Sequence, residues 1–149
     1  MLEIYENALD AKAIMNEWYD ADRKNNFGAM IHFVGVVRAE DDIEGLSFDV
    51  YEPILKDWFA SWQEKAKSQK AKVLMAHSRG DVLVHECSYV AGVCSPNRKV
   101  ALIMIEEFVE DFKKNAPIWK YDIKNGVRIY AKERSQEIEG ARLLHQSKL

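Results

Sequence analysis

Two lysines around one short segment have the types and spacing best suited to chemistry. The segment KKNAPIWK runs from Lys113 to Lys120 and holds an amine on each side of a Pro-Ile-Trp step. Burial and neighbouring positive charge both lower a lysine pKa, the first by removing solvation and the second by repulsion. If the chain folds back at Pro117, Lys113 and Lys120 approach each other. Such a pair suits proton transfer or covalent attack on a carbonyl carbon.

Simpler explanations exist for both lysines. Lys113 and Lys114 are expected in the last turn of a helix, where cations oppose the helix dipole favourably. Lys120 is expected on a hairpin strand, where an exposed lysine protects a sheet edge. The residues by themselves leave these explanations open beside the chemical one.

Arginines form the second group of candidate site residues. Arg98 stands in the first turn of a predicted helix, where positive charge is disfavoured by a few tenths to about 1 kcal/mol. Free backbone N–H groups at the same helix end bind anions, so Arg98 and the amide of Asn97 predict a phosphate or carboxylate site. An arginine paired with a nearby acid is the alternative. Arg38 ends a predicted apolar strand, and its simplest explanation is a side chain that reaches solvent.

Helix geometry restricts how Arg98 and Lys113 can act together. They are fifteen residues apart on one predicted helix, which corresponds to about 22 Å at 1.5 Å per residue. One small substrate cannot contact both within a single chain. Either there are two sites, or a second subunit supplies one of the two residues, as a symmetric dimer does.

A mixture of helices and strands must position these residues. Ser95 is a natural N-cap and Pro96 a natural first residue for the helix that carries Arg98. Because no regular βαβ repeat appears, the pattern favours an α+β fold, with residues 1–149 in one domain. Helices are predicted at residues 9–23, 53–69, 96–115 and 135–144, strands at 28–38, 46–52, 72–81 and 87–94, and an Asn-Gly hairpin at 117–123 and 127–133.

Bulk composition argues against several functional classes. The net charge of −3 gives no overall attraction to nucleic acid or to an anionic membrane. A nucleic-acid-binding domain needs a basic stripe with exposed aromatic residues, and the acidic loop at residues 39–42 opposes it. No segment approaches the roughly 20 apolar residues that cross a bilayer, and the start lacks a basic leader. A cytoplasmic protein that binds neither nucleic acid nor membrane is therefore predicted.

The two cysteines predict neither a disulfide nor a metal site. Cys87 and Cys94 are seven residues apart on one predicted strand, so their side chains are expected on opposite faces. At about 3.3 Å per residue they lie more than about 20 Å apart, beyond disulfide reach. His77 and His85 add no recognised zinc spacing. No metal and no cofactor is expected.

Four motifs in a fixed order carry a resemblance to a known family. FVGVVR (residues 33–38), YEP (51–53), H-x-x-G (His77 and Gly80) and KKNAPIWK (113–120) together resemble the large, catalytic subunit of molybdopterin synthase. The resemblance covers nearly the whole chain. It implies an α/β-hammerhead-like fold, with an antiparallel or mixed sheet and a small β subdomain, and a central homodimer.

The same resemblance implies an activity and a partner. Each large subunit binds a small ubiquitin-like subunit, which makes a heterotetramer. The C-terminal Gly-Gly thiocarboxylate of the small subunit donates sulfur to cyclic pyranopterin monophosphate. Two such transfers build the dithiolene of molybdopterin, and the step requires no metal.

Site roles also follow from the resemblance. It implies that Lys113 and Lys120 are catalytic, that Arg38 lies near the thiocarboxylate and substrate, and that Asn97 and Arg98 bind substrate from the neighbouring subunit. Asn97 stands where the family usually has histidine, so hydrogen bonding remains there while proton transfer is lost. That departure keeps open an alternative function, a non-catalytic anion-binding or scaffold module of the same fold.

Overall fold

The computed structural model describes residues 1–131 of the 149-residue chain. The α+β prediction is confirmed by the alternation of strands and helices. The predicted helix at 135–144 lies outside the described residues, and a single domain over residues 1–149 stays a prediction. The elements are β1 (Leu2–Glu6), α1 (Ala11–Asp22), β2 (Ala29–Val36), β3 (Gly45–Val50), α2 (Glu52–Lys67), β4 (Lys72–Leu83), β5 (Cys87–Ser95), α3 (Arg98–Asn115), β6 (Ile118–Lys124) and β7 (Val127–Tyr130).

Seven strands form one mixed sheet centred on the long strand β4. The order is β2-β5-β4-β3-β6-β7, and β1 pairs with β4. Only the β1–β4 pair is parallel among the described strands. Residues 72–77 of β4 pair with β5, whereas residues 80–83 pair with β3. Strand β4 therefore joins the main sheet to a smaller region made of β3, β6 and β7.

The glycine of the H-x-x-G motif lies where β4 passes between these two regions. Gly80 has a φ of +91°, which L side chains rarely adopt, and a Cβ there would lie 2.8 Å from Asn7 Oδ1. The Asn7 side chain also accepts a hydrogen bond from the Asp81 backbone N–H. This glycine is thus required by backbone conformation and by the close approach of the chain that follows β1.

Helices cover both faces of the sheet. Alternate residues of β4 and β5 enter two separate apolar clusters, as the period of a strand dictates. Trp18 of α1 belongs to the smaller cluster, whereas Phe59 of α2 and Phe108 of α3 belong to the larger one. Helix α1 therefore packs on one face, and α2 and α3 pack on the other. Within residues 1–131, no helix is long and apolar enough to cross a membrane.

The start of α3 differs from its prediction by two residues. Ser95 is the last residue of β5, and its hydroxyl donates a hydrogen bond to the Asn97 carbonyl. Asn97 is the N-cap, with its Oδ1 accepting from the Val100 N–H at 3.1 Å, so α3 begins at Arg98. The prediction of Ser95 as N-cap was wrong because the strand continues through it. The predicted end at Asn115 is confirmed.

The prediction that the two cysteines face opposite sides of the sheet was wrong. Both thiols are free, and both side chains pack in the cluster under α1. In the pairing of β2 with β5, Gly35 lies opposite Tyr89 and the next residue, Val36, lies opposite Cys87. Ser88 of β5 therefore has no residue opposite it in β2. The extra residue in β5 is a β-bulge, and a bulge resets the alternation of side chains.

The remaining elements follow the predicted pattern, with one addition. Asn125 and Gly126 both have positive φ angles, 51° and 73°, as the predicted Asn-Gly hairpin between β6 and β7 requires. Strand β1 is the addition, because no strand was predicted before residue 28. Its residues gain their order from the parallel pairing with β4.

Candidate active site

A cavity of about 520 Å³ lies between the sheet and the C-terminal half of α3. Strands β2, β3, β4, β5 and β6 form one wall, and the last two turns of α3 form the other. The side chains that line it are those of Phe33, Val36, Val37, Arg38, Glu40, Leu46, Phe48, His77, Ser88, Tyr89, Val109, Phe112, Lys113, Ala116, Ile118 and Lys120, together with the backbone of Gly35.

Both lysines of the KKNAPIWK segment line this cavity. Lys113 lies in the last turn of α3, and Ala116, with a ψ of 137°, turns the chain out of the helix. The Pro117 carbonyl then accepts a hydrogen bond from the Tyr51 N–H at 3.1 Å. Lys120 follows on β6, paired with Phe48 of β3. The turn between helix and strand thus places two lysines on the lining of one cavity.

Arg38 supplies a third cation at the mouth of the cavity. It lies two residues beyond the end of β2, and its side chain is 84% exposed. Its guanidinium contacts the Glu40 carboxylate at 3.1 Å, and both residues line the cavity. The predicted strand-end position is therefore close to the observed one, and the side chain is accessible to a ligand.

The floor of the cavity contains a buried histidine that was not among the predicted site residues. His77 Nδ1 lies 2.8 Å from the Ser78 carbonyl oxygen, so Nδ1 carries the proton and Nε2 is left as an acceptor. Burial is the main reason why the pKa of His77 is lowered to about 4. The hydrogen bond with Ser78 raises this pKa, and the nearby charge of Lys120 lowers it further. The ring is neutral near neutral pH. The H-x-x-G spacing singles out His77, but only the fold reveals its place.

Aromatic rings complete the floor around His77. Phe48 meets the His77 ring edge to face at 5.0 Å between centroids. The rings of Tyr89 and Phe112 stack on each other with their centroids 4.2 Å apart. The centroid of the His77 ring lies 5.6 Å from that of Tyr89 and 5.5 Å from that of Phe112. Tyr89 was likewise not predicted, because an apolar strand does not indicate which aromatic residue faces a cavity.

The C-terminal end of α3 is fixed to α2 by one carboxylate. Asp111 accepts hydrogen bonds from Trp58 Nε1 at 2.9 Å and from Trp62 Nε1 at 2.7 Å. Burial raises the pKa of Asp111, but the hydrogen bonds from Asn115, Trp62 and Trp58 outweigh it and the pKa is lowered. Lys113 stands just beyond this anchor, so its backbone position is well determined.

Asn97 and Arg98 lie away from the cavity, at the other end of α3. Both residues are exposed, and neither lines the cavity. Asn97 Oδ1 is used as the helix cap, which leaves only its amide nitrogen for a ligand. Within residues 1–131, Arg98 makes no salt bridge, so the alternative of an acid-paired arginine does not apply there. The 15-residue separation from Lys113 is retained in α3.

The chemistry of the cavity follows from its composition. Three cations surround an apolar and aromatic floor, which suits an anionic ligand with a planar, weakly polar part. Two lysines beside one cavity offer a proton donor, a proton acceptor or a nucleophile. No three His, Cys, Asp or Glu side chains cluster as a metal ligand set in the part of the chain that the structure describes.

Comparison with known proteins identifies the family. The profile of the MoaE protein family matches residues 4–115. A molybdopterin synthase catalytic subunit from Helicobacter pylori (strain 26695) is 50% identical over 144 residues, which are 97% of this chain and 99% of the relative. The chain belongs to the MoaE family.

Solved structures agree with this membership. The MoaE fold described here matches a chain from a complex of subunits 1 and 2 of molybdopterin-converting factor from Helicobacter pylori 26695, with a TM-score of 0.90, 50% identity, and coverage of 96% of this chain and 98% of that one. A molybdopterin synthase from Staphylococcus aureus matches with a TM-score of 0.73 at 22% identity, over 86% and 94% of the two chains, and shares the fold.

Proposed function

We propose that this MoaE protein is the catalytic subunit of a molybdopterin synthase. It transfers sulfur from the C-terminal thiocarboxylate of a small ubiquitin-like subunit to cyclic pyranopterin monophosphate, and the product is the dithiolene of molybdopterin. The observation that carries the proposal is the meeting of Lys113, Lys120 and Arg38 in one cavity. The chain that holds this cavity is 50% identical, over almost its full length, to a named catalytic subunit.

The cavity residues have roles that suit this reaction. Arg38 and the lysines attract an anionic tail and an anionic substrate into the cavity. A lysine ammonium donates a proton to a leaving oxygen, and a neutral amine accepts one or attacks the acyl carbon. We assign these roles to Lys113 and Lys120 together, because both amines line the same space. The reaction requires no metal.

A homodimer completes the proposed site. Arg98 is about 22 Å from Lys113 along α3, so we assign Arg98 and the Asn97 amide to the cavity of the neighbouring chain, where they bind the substrate phosphate. Leu102 and Ile103 support this assignment, because they are 57% and 53% exposed one turn beyond Arg98. Exposed apolar side chains at that place fit an interface with a second copy.

The proposed setting of the enzyme is the cytoplasm. Cys87 and Cys94 are buried free thiols, and free thiols persist in reducing compartments. Neither thiol lines the cavity, and burial raises the pKa of both, so neither is suited to act as a nucleophile in the reaction.

Reconstitution tests the proposed function. Purified protein is mixed with thiocarboxylated small subunit and cyclic pyranopterin monophosphate, and dithiolene product is followed in a single turnover. Lys120→Ala is expected to lower the rate by about 1,000-fold, within the range for loss of an acid–base group. Lys124→Ala is the matched control, since Lys124 lies on the same strand but outside the cavity. Its rate should equal that of the wild type.

Unchanged dithiolene formation by the Lys120→Ala protein would contradict the proposed enzymatic function. The alternative, a non-catalytic anion-binding scaffold, is favoured by Asn97, which holds no titratable group where the family usually has a histidine. It predicts that the wild type binds the small subunit and the pterin without forming product. Both affinities are measured by calorimetry alongside the rate.

A further inference from the structure

Contacts on several sides fix the position of the Tyr89 ring at the cavity. The β-bulge next to it sets which face of β5 it occupies, and it pairs with Gly35 of β2. A Cβ at Gly35 would lie 3.2 Å from Tyr89 Cβ, so glycine makes room for the tyrosine. The ring stacks on Phe112 with an interplanar angle of 15°, and Phe33 lies 5.8 Å away on the opposite strand. These contacts leave the ring little freedom to move.

The hydroxyl of this fixed ring has no hydrogen-bond partner within residues 1–131. Tyr89 is 6% exposed, and its oxygen is inaccessible to bulk solvent. An unsatisfied buried hydroxyl destabilises the folded state, whereas a phenylalanine in the same place does not. Shape and stacking therefore explain the aromatic ring but not the oxygen.

The surroundings of the hydroxyl indicate what it binds. The residue lines the same cavity as Lys113 and Lys120, whose charges attract anions. His77, 5.6 Å away between ring centroids, is uncharged and presents an acceptor nitrogen, so it does not compete for an anion. Burial raises the pKa of the Tyr89 phenol, so it stays protonated and remains a hydrogen-bond donor. The oxygen is covered in the free protein, so this donor, which has no acceptor within residues 1–131, becomes available to a ligand when the side chains around it shift.

We propose that Tyr89 contacts the reactants directly, its hydroxyl donating a hydrogen bond to an anionic acceptor atom of the reacting groups. The acceptor is either the acyl oxygen of the small subunit's thiocarboxylate tail or an oxygen of the pterin substrate. This inference rests on the proposed sulfur-transfer function. A donor on a ring that is held in position stabilises charge that develops on such an oxygen.

The test is the single-atom change Tyr89→Phe, with Tyr19→Phe as matched control. Tyr19 is on α1 and is 55% exposed, away from the cavity. Loss of one such donor lowers turnover by about 100-fold or more in related cases, so a fall of about 100-fold in the single-turnover rate is expected. The thermal midpoint should stay the same or rise, because an unsatisfied hydroxyl has been removed. Tyr19→Phe should leave the rate unchanged.

Two binding measurements separate the possible acceptors. One titrates the small subunit, ending in its Gly-Gly carboxylate, into wild type and Tyr89→Phe. The other titrates cyclic pyranopterin monophosphate. Weaker binding of the small subunit alone assigns the contact to the tail, and weaker binding of the pterin alone assigns it to the substrate. A lower rate with both affinities unchanged assigns it to the transition state.

Two results would overturn the proposal. One is an unchanged single-turnover rate in Tyr89→Phe. The other is a rate that falls together with the thermal midpoint, because the hydroxyl would then be part of the protein's own hydrogen bonding. If the wild type forms no dithiolene, the proposed function fails separately. The titrations then decide on Tyr89 by themselves: weaker binding of either ligand supports the contact, and equal binding of both contradicts it.

Discussion

The two ends of helix α3 carry the two groups of candidate residues, and they are built differently. At the C-terminal end, Asp111 holds the helix to two tryptophans of α2, and five strands contribute to a concave cavity. At the N-terminal end, Asn97 caps the helix with its own side chain, and residues 96–99 are exposed. One end is a site formed by distant parts of the chain, whereas the other is a local turn whose arginine has no salt-bridge partner within residues 1–131.

This difference explains how one helix can serve two sites. A cation on an open helix end has no concave surface of its own to bind a small substrate. The C-terminal end has such a surface but lacks the arginine of the opposite helix end. In the proposed homodimer a second copy of the chain supplies each missing part, and mixed chains test this arrangement.

The largest expected effect is recovery of activity in mixed dimers. Arg98→Ala and Lys113→Ala homodimers should each be strongly impaired. After exchange of equal amounts, half of the dimers are mixed, and each mixed dimer has one site with both residues intact. About a quarter of all sites should then work, a rise of roughly 100-fold or more over either parent for a shared site. Single-turnover rates of the mixture and of both parents measure the recovery. In the control mixture, Lys114→Ala replaces Lys113→Ala.

Absence of recovery in mixed dimers would contradict a site shared between chains. Exchange of subunits must be shown by native mass spectrometry of differently tagged chains in the same sample. A control mixture of Lys113→Ala with Lys120→Ala should not recover, because both residues belong to the same cavity. Recovery in that mixture would also count against the assignment.

The next largest effect concerns the anchor at the C-terminal end of α3. Asp111→Ala leaves the indole N–H groups of Trp58 and Trp62 without their shared acceptor. The free energy of unfolding should fall by about 2 kcal/mol, as expected for two partly buried donors left unpaired. Glu110→Ala, on the exposed side of the same turn, should change it by less than about 0.5 kcal/mol. Urea unfolding followed by tryptophan fluorescence measures both, and a loss below 1 kcal/mol for Asp111→Ala would show that the anchor is dispensable.

A comparable effect is the pH dependence that the cavity floor imposes on stability. The pKa of His77 is about 4 in the folded protein and about 6.5 in an unfolded chain. Between these values the unfolded state binds more protons, so the stabilisation is complete above pH 6.5 and is lost as the pH falls toward 4. The expected loss between pH 6.5 and 5 is about 2 kcal/mol.

Substitution of the histidine isolates its share of this pH dependence. His77→Asn keeps a donor for the Ser78 carbonyl but removes the titrating group, so its unfolding free energy should vary less over the same interval. His85→Asn is the control, because His85 is exposed and its φ of 76° suits asparagine. Equal pH slopes in wild type and His77→Asn would contradict the buried, neutral histidine.

Much of the fold was predictable because local rules govern many of its parts. The Asn-Gly hairpin requires two positive φ angles, which these residues readily adopt. The end of α3 follows from Asn115 and Pro117, since proline disfavours helix in the residue before it. The cysteine prediction was wrong because alternation along a strand assumes no bulge, and the bulge at Ser88 depends on pairing with β2.

The sequence by itself determined which residues were candidates and how far apart they lie. The spacing of Lys113 and Lys120 around a proline, and their distance from Arg98 on a helix, are consequences of chain geometry alone. Only the tertiary structure decided that His77, Tyr89 and Phe112 form the floor beneath the amines. Packing between distant strands determines that His77 and Tyr89 are buried. It also determines that the Tyr89 hydroxyl has no hydrogen-bond partner within residues 1–131. No local pattern of residues carries that information.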